Sequence, residues 1–427
     1  MKTWVIKLRH LAKKVIAYSI EGEEKVYRLK HTPFRVKRHY TRRYHRELEG
    51  LFVQPDKIVV DNYMGRGYGC NGKYVTQALL ASGEALDIVW TVKDPAGQQE
   101  QFPKGVRLVR YGSPEALREY ATAGIWLCNY HLMQYLHRGL LKKPEQTYIQ
   151  MWHGSFGIKK IENDCRNLTE DKNWTFLAEK NSKFTDYWIS NGRFETEIYR
   201  RAFWDVEHVL EYGHPRNDVF FHGRERQARS FVERYVGRTN EKFLLYVPTF
   251  RDDDTTQKQA PDLLRIRQSL TRRFGGNWTI LVRMHPRMRE SLITEELVQA
   301  GGVDVTGYPD IQELLAAADA VITDYSSAVF DFLLTGRPAF IYAPDYDDYQ
   351  QMRGLYYPLW ETPFPIASDN DGLAERILEF DEDAYRKRTE AFLEGKGSVE
   401  DGRAAERTAE LILDKVRQNR ERQRQGD

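Results

Sequence analysis

The chain has 427 residues, 41% hydrophobic and 30% charged, which is more than one ordinary domain and enough apolar material for two or three buried cores. Three cysteines, Cys70, Cys128 and Cys165, fall at no CxxC spacing. That argues against a disulfide framework and a cysteine zinc site, and it favours a reducing compartment. The formal net charge of +2 hides an asymmetry, because residues 1–50 carry 14 Lys or Arg against five Asp or Glu, a net of +9 that leaves −7 for the remainder.

Residues 1–20 place Trp4, Val5, Leu8, Leu11, Val15 and Ile16 at helical spacing with a basic polar face between them. Tyr18, Tyr27, Phe34, Tyr40 and Tyr44 continue the pattern of rings among cations. Such a segment suits an anionic membrane surface or a solvated face, and nucleic acid much less well. No run of 18 apolar residues predicts a transmembrane helix, and the N-terminus lacks the apolar core of a signal peptide.

From Lys57 the chain alternates strands and helices. Strands are expected at Lys57–Asp61, Asp87–Val92, Val106–Val109, Ile125–Asn129, Thr147–Gln150 and Tyr187–Ser190, with a helix over Gly72–Leu80. The turn Gly65-x-Gly67-x-Gly69 is not a GxGxxG fingerprint, and no acidic residue stands in the ribose position downstream, so it reads as a close backbone approach near a cleft. A second series follows Gly213-His214-Pro215-Arg216-Asn217-Asp218, with strands at Phe243–Val247, Trp278–Met284, Ala320–Thr323 and Pro338–Tyr342. The recurrence predicts an α/β fold of two doubly wound halves, each a parallel sheet covered on both faces, meeting near residue 212. Ligands bind such halves at the carboxyl ends of the strands, which here would face each other across a cleft. Helices from about Asp381 to Asn419 would pack back across both halves. The organisation expected is thus residues 1–50 as a basic segment, 51–212 and 213–380 as the two halves, and 381–427 as the closing helices.

The strand ends carry the chemistry. Trp152-His153-Gly154-Ser155 follows Gln150, which puts His153 at a strand end as a candidate general base, with Gly154 permitting close approach and Lys159 and Lys160 behind it. Arg216 would hold a phosphate or pin the hinge through Asp218. Thr249, Arg251 and Asp252 end the next strand, and Arg283 and His285 end the one after. Asp324-Tyr325-Ser326-Ser327 leads into a helix whose unpaired N–H groups suit a phosphate, with Ser326 and Ser327 adding hydroxyls; the bland reading is a helix cap. Asp324 itself reads as orienting the turn. Arg353-Gly354 adds a cation and a close approach after the acidic stretch Asp345–Tyr349, which is expected to be a surface loop. Arginines and histidine can neutralise a leaving diphosphate without a metal. No acidic pair stands where a divalent ion would obviously need it, although Asp252, Asp253 and Asp254 keep that open; the expected site has no metal and no cofactor.

WHGSFGIKK (152–160), GHPRND (213–218), VPTFRDD (247–253), RMHP (283–286), ITDYSSAVFDF (322–332), GRPAFIY (336–342) and Arg353-Gly354 occur in one order. Together they resemble the CDP-glycerol glycerophosphotransferases of wall teichoic acid and capsule synthesis, over roughly residues 57–380. The family usually has Thr-Pro-Leu after WHG where this chain has Ser155-Phe156-Gly157, and Gly-Tyr-Pro where this chain has Gly213-His214-Pro215. The resemblance implies a GT-B-like fold of two Rossmann-like domains facing a central cleft. It implies CDP-glycerol as donor, a lipid-linked glycan or polyol-phosphate acceptor, and an enzyme held peripherally on the cytoplasmic face of the membrane. His153 then matches the base and His285 the contact to the donor diphosphate, with Ser326 and Ser327 at the donor's phosphates. A nucleotide-sugar glycosyltransferase on the same fold and a transferase using CDP-ribitol are the alternatives.

Overall fold

The computed structural model describes residues 46–165, 172–249, 260–284 and 294–426, apart from the side chains at 172–173, 294–296 and 352–353. The helix expected over residues 1–20 and most of the basic segment lie outside the described residues, as do Arg251, Asp252 and His285 and the side chain of Arg353.

Two α/β domains result, each built on one all-parallel sheet. The first sheet holds β1 (Gln54–Asp61), β2 (Asp87–Val92), β3 (Val106–Arg110), β4 (Ala123–Cys128), β5 (Thr147–Gln150), β6 (Tyr187–Ser190) and β7 (Val209–Glu211), in the order β3-β2-β1-β4-β5-β6-β7. The second holds β8 (Lys242–Val247), β9 (Trp278–Val282), β10 (Val303–Asp304), β11 (Ala320–Thr323), β12 (Ala339–Tyr342) and β13 (Ile366–Ala367), in the order β10-β9-β8-β11-β12-β13. Strands such as Ala-Gly-Ile-Trp-Leu-Cys, Trp-Thr-Ile-Leu-Val and Ala-Val-Ile-Thr are buried along their whole length, as helices on both faces of a parallel sheet require. Each buried Val, Leu or Ile contributes about 1.5–3 kcal/mol relative to exposure.

Strand order fixes where a ligand can lie. In each sheet the winding reverses once, between β1 and β4 in the first and between β8 and β11 in the second. Helices leave in opposite directions there and open a crevice beyond the carboxyl ends of the two strands. Asp61 and Cys128 are register partners at the first switch, and Val247 and Thr323 at the second.

Several contacts hold the domains together. On the helix Cys70–Ala81 of the first domain, Lys73 Nζ pairs with Asp310 at 3.0 Å and Glu313 at 2.5 Å, and the Tyr74 hydroxyl donates to Asp310 at 3.0 Å. The close approach expected of the glycine-rich turn is found at this junction, where a Cβ on Gly69 would meet Pro309 O at 3.3 Å. Of the two C-terminal helices, Glu382–Lys396 packs on the second domain, with Tyr385 buried against Phe380. Helix Ala404–Gln425 returns to the first domain and inserts Ala409, Ile412 and Val416 into its core.

The boundaries differ from expectation in a few places. The helix read as Gly72–Leu80 begins at Cys70, and the strand read as Trp278–Met284 ends at Val282. Asp345–Tyr349 is not a surface loop. Tyr346–Arg353 is helical, and Tyr349 is buried flat against Tyr325, ring centroids 3.7 Å apart.

Candidate functional site

The loop after β5 carries His153 into the first crevice. Trp152 takes φ 46, a left-handed conformation that turns the chain sharply there, and Asn71 Nδ2 donates to the carbonyls of Met151 at 3.2 Å and Trp152 at 3.1 Å. The half-buried His153 ring lies among Trp152, Tyr63 and Tyr130, at centroid distances of 4.3, 4.7 and 5.3 Å. Its Nδ1 lies 2.8 Å from Asn129 O at the end of β4. A carbonyl only accepts, so Nδ1 carries the hydrogen and Nε2 keeps its lone pair. Loss of solvation among the rings pushes the imidazole pKa down to about 3, and the positive charges of Arg216 and Arg66 act in the same direction. The ring is therefore a neutral base across the physiological range.

From His153 the chain crosses to the second domain. Phe156 and Ile158 belong to the second domain's core. Tyr356 N donates to Ile158 O at 2.6 Å, Lys160 N donates to Gly354 O at 3.2 Å, and the Tyr357 hydroxyl donates to Phe156 O. A Cβ on Gly157 would stand 3.2 Å from Ser327 Cβ. The loop of His153 and the turn of Ser326 and Ser327 thus touch. Gly354 makes its close approach to Lys160, whose Cδ a Cβ there would meet at 3.2 Å.

At the second switch, Asp324 organises the turn. Its carboxylate accepts from Thr249 N at 3.0 Å, from the Thr249 hydroxyl at 2.5 Å and from Tyr325 N at 2.5 Å. Asp324 thus orients the strand ends, as read from the sequence, while the Thr249 hydroxyl proton is given to the protein. Ser326 and Ser327 remain half-buried, and Ala328 N donates to Ser326 Oγ at 3.4 Å. Ser327 makes no side-chain cap to the short helix Ala328–Phe332. Arg283 extends from the end of β9, donating from Nη1 to Tyr308 O at 2.6 Å, and burial lowers its pKa to about 10.

Arg216 pairs with a different acid from the one expected. Its Nε donates to Asp331 at 2.9 Å, Nη2 reaches Asp331 at 3.2 Å and also Gly154 O, and the side chain is buried. Asp218, the partner expected from the sequence, instead accepts the N–H groups of Ala404 and Ala405 at 3.0 and 2.9 Å and starts the returning helix. Asn217 and Gln312 complete the Asp331 network at 3.2 Å each. Gly154, Arg216, Ser326, Ser327 and His153 are therefore gathered in one region, with Arg283 and Thr249 at neighbouring strand ends. Sequence reasoning missed Tyr63, Asn129 and Tyr130, which wall His153; only strand order reveals that the β1 and β4 ends are adjacent. Among the described residues no group of three or more His, Cys, Asp or Glu is placed to hold a metal ion.

The model of the family described as CDP-Glycerol:Poly(glycerophosphate) glycerophosphotransferase matches residues 42–414. The chain belongs to this family. It is 32% identical over 378 residues to a teichoic acid poly(glycerol phosphate) polymerase of Staphylococcus epidermidis, covering 84% of this chain and 51% of that protein. It is 31% identical over 380 residues to a teichoic acid glycerol-phosphate transferase of Staphylococcus aureus, covering 83% of this chain and 92% of the relative. The chain thus spans about half of the first relative and nearly all of the second. Among solved structures, the wall teichoic acid polymerase TagF superimposes with a TM-score of 0.75 at 28% identity, covering 98% of both chains. The paired Rossmann-like sheets of this family member are accordingly of the GT-B-like kind.

Proposed function

We propose that this family member transfers glycerol phosphate from CDP-glycerol to a hydroxyl of a lipid-linked teichoic-acid or capsule acceptor and releases CMP. The observation that carries the reading is the neutral His153, with its Nε2 lone pair, on a loop that touches the Ser326–Ser327 turn of the other domain. The acceptor hydroxyl gives its proton to Nε2 as its oxygen attacks the β-phosphorus. The bond from that phosphorus to the bridging oxygen breaks, and CMP departs with the electron pair. Ser326, Ser327 and Arg283, with Arg251 and His285, steady the diphosphate and the departing charge. The proton's arrival makes His153 cationic beside the accumulating phosphate charge, which favours the protonated ring at that stage.

The membrane side of the reading rests on the sequence, where 14 cations and several rings crowd residues 1–50. Among the described residues no helix is long and apolar enough to cross a membrane. Placement on the cytoplasmic face belongs to the same proposal.

The test replaces His153 with Ala and follows CMP release from CDP-glycerol with a short lipid-linked acceptor. Loss of a general base lowers turnover by about 10²–10⁴-fold. A folded variant turning over near the parent rate eliminates the role. Running the parent with CDP-ribitol and UDP-sugars in parallel separates the glycerol reading from its alternatives, since release of UDP or preference for CDP-ribitol would displace it.

A further inference from the structure

The loop after β1 presents a cation that neither the fold nor the mechanism above uses. Asp61 accepts from Met64 N at 2.9 Å and from the Thr91 hydroxyl. Tyr63 N donates to Asn129 Oδ1 at 2.9 Å, Asn129 Nδ2 donates to Asn62 Oδ1 at 2.8 Å, and Asn62 Nδ2 donates to Gly67 O at 2.9 Å. This web holds Tyr63 at φ 47 and Met64 at φ 58, two left-handed conformations that a non-glycine residue adopts only with strain. What the strain secures is the position of the Tyr63 ring 4.7 Å from His153, with the Arg66 guanidinium 5.0 Å from that same ring. Stacking on an aromatic face fixes an arginine without consuming its hydrogen-bond donors.

Arg66 is exposed, and among the described residues it has no ion pair. Among the described residues its hydrogen bonds run through the main chain, its N–H donating to Asn62 O at 2.9 Å and its carbonyl accepting from Gln98 Nε2 at 3.2 Å. Its charge is felt by His153 on its own domain and by Arg283 on the other. The exposed Arg66 guanidinium is thus held on the ring that packs against the base. A phosphate matches the free guanidinium fork.

We propose that Arg66 is a phosphate-binding residue of the transfer site, gripping phosphate oxygens from the first domain's wall beside His153. The assignment rests on the glycerophosphotransfer reading for the origin of the phosphate. Two sources share this chemistry, the phosphoryl group in transit and a phosphodiester next to the acceptor hydroxyl.

The experiment compares the full chain with R66Q and R66K by CMP release. One acceptor ends in a phosphodiester-linked glycerol and the other offers the same hydroxyl with no neighbouring phosphate. R66Q should lose on the order of 10²-fold in kcat/KM, as for removal of one preorganised donor to a reacting oxyanion, and R66K should recover part of it. A fall in kcat on both acceptors with unchanged KM places Arg66 on the phosphoryl group in transit. A rise in KM confined to the phosphodiester acceptor places it on the acceptor. R66Q within twofold of the parent on both acceptors overturns the proposal, as does an unfolding midpoint that drops with the activity. Should the parent release no CMP from CDP-glycerol, the reaction reading fails by itself. Arg66 is then judged by calorimetric binding of inorganic pyrophosphate. About tenfold weaker binding by R66Q sustains the phosphate site, and equal binding refutes it.

Discussion

Replacing Asp331 with Ala tests whether the buried ion pair at the domain junction holds the site in register. Asp331 is 4% exposed and accepts from Arg216 at 2.9 and 3.2 Å, from Asn217 at 3.2 Å and from Gln312 at 3.2 Å. Truncation leaves the Arg216 guanidinium buried with Gly154 O as its remaining acceptor. Removing one partner of a buried pair costs about 3–5 kcal/mol, chiefly through the uncompensated charge left behind. For a domain of this size each kcal/mol moves the midpoint by about 2–4 °C, so thermal unfolding followed by tryptophan fluorescence should shift down on the order of 10 °C. The Asp331→Asn variant keeps an acceptor but not the charge and should fall between the two. Because Arg216 also holds the carbonyl of the residue after His153, D331A should lose turnover at temperatures where it is still folded. A midpoint within about 2 °C of the parent would refute the reasoning, since the pair would then be contributing no more than a surface one.

Two other outcomes follow from particular positions. The His153 pKa, lowered to about 3, means the free enzyme keeps this base neutral well below its ordinary 6.5; at pH 5 about 99% would be neutral instead of about 3%. The acid limb of kcat/KM should therefore not fall near pH 6.5, and a limb there that disappears in H153A contradicts the assigned environment. The sign for stability is the same: the unfolded chain binds this proton first, so the folded state loses stability as pH falls below 6.5 toward 3. Gly192 adopts φ 150 and ψ −175, a conformation open essentially to glycine alone, and a Cβ there would lie 2.0 Å from Gly397 O. Gly192→Ala should cost at least about 1–3 kcal/mol in urea unfolding, and an unchanged midpoint would mean the turn after Lys396 does not pack against Gly192.

How much of this was legible depended on whether the signal was local. Asp87–Val92, Thr147–Gln150, Tyr187–Ser190 and Ala320–Thr323 are apolar runs bounded by polar turns, and their limits could be read directly. Val209–Glu211, Val303–Asp304 and Ile366–Ala367 escaped because two or three residues at or near a sheet edge carry no period. Asp345–Tyr349 was misread because its charge suggested solvent, whereas Tyr349 turns inward onto Tyr325 and only Asp347 and Asp348 stay exposed. His153 could be found as a histidine after a strand. Its tautomer could not, since that depends on a carbonyl from β4. Arg216 was visible as a cation at a hinge, but its partner lies 115 residues away across the junction, nearer candidates such as Asp218 being engaged elsewhere.

The loop after β5 constrains how the cleft can work. His153 stands three residues before Phe156, which is 1% exposed in the second domain's core, and Ile158 is equally buried there. Lys159 and Leu355 then form an antiparallel bridge, so the segment is effectively an extra piece of the second domain that carries the first domain's base. Opening the cleft along this edge would expose both side chains, at about 1.5–3 kcal/mol each, besides breaking the bonds to Gly354 and Tyr356. Domain motion that opens this edge therefore costs several kcal/mol. Gly157, four residues after the base, is thereby kept against Ser327.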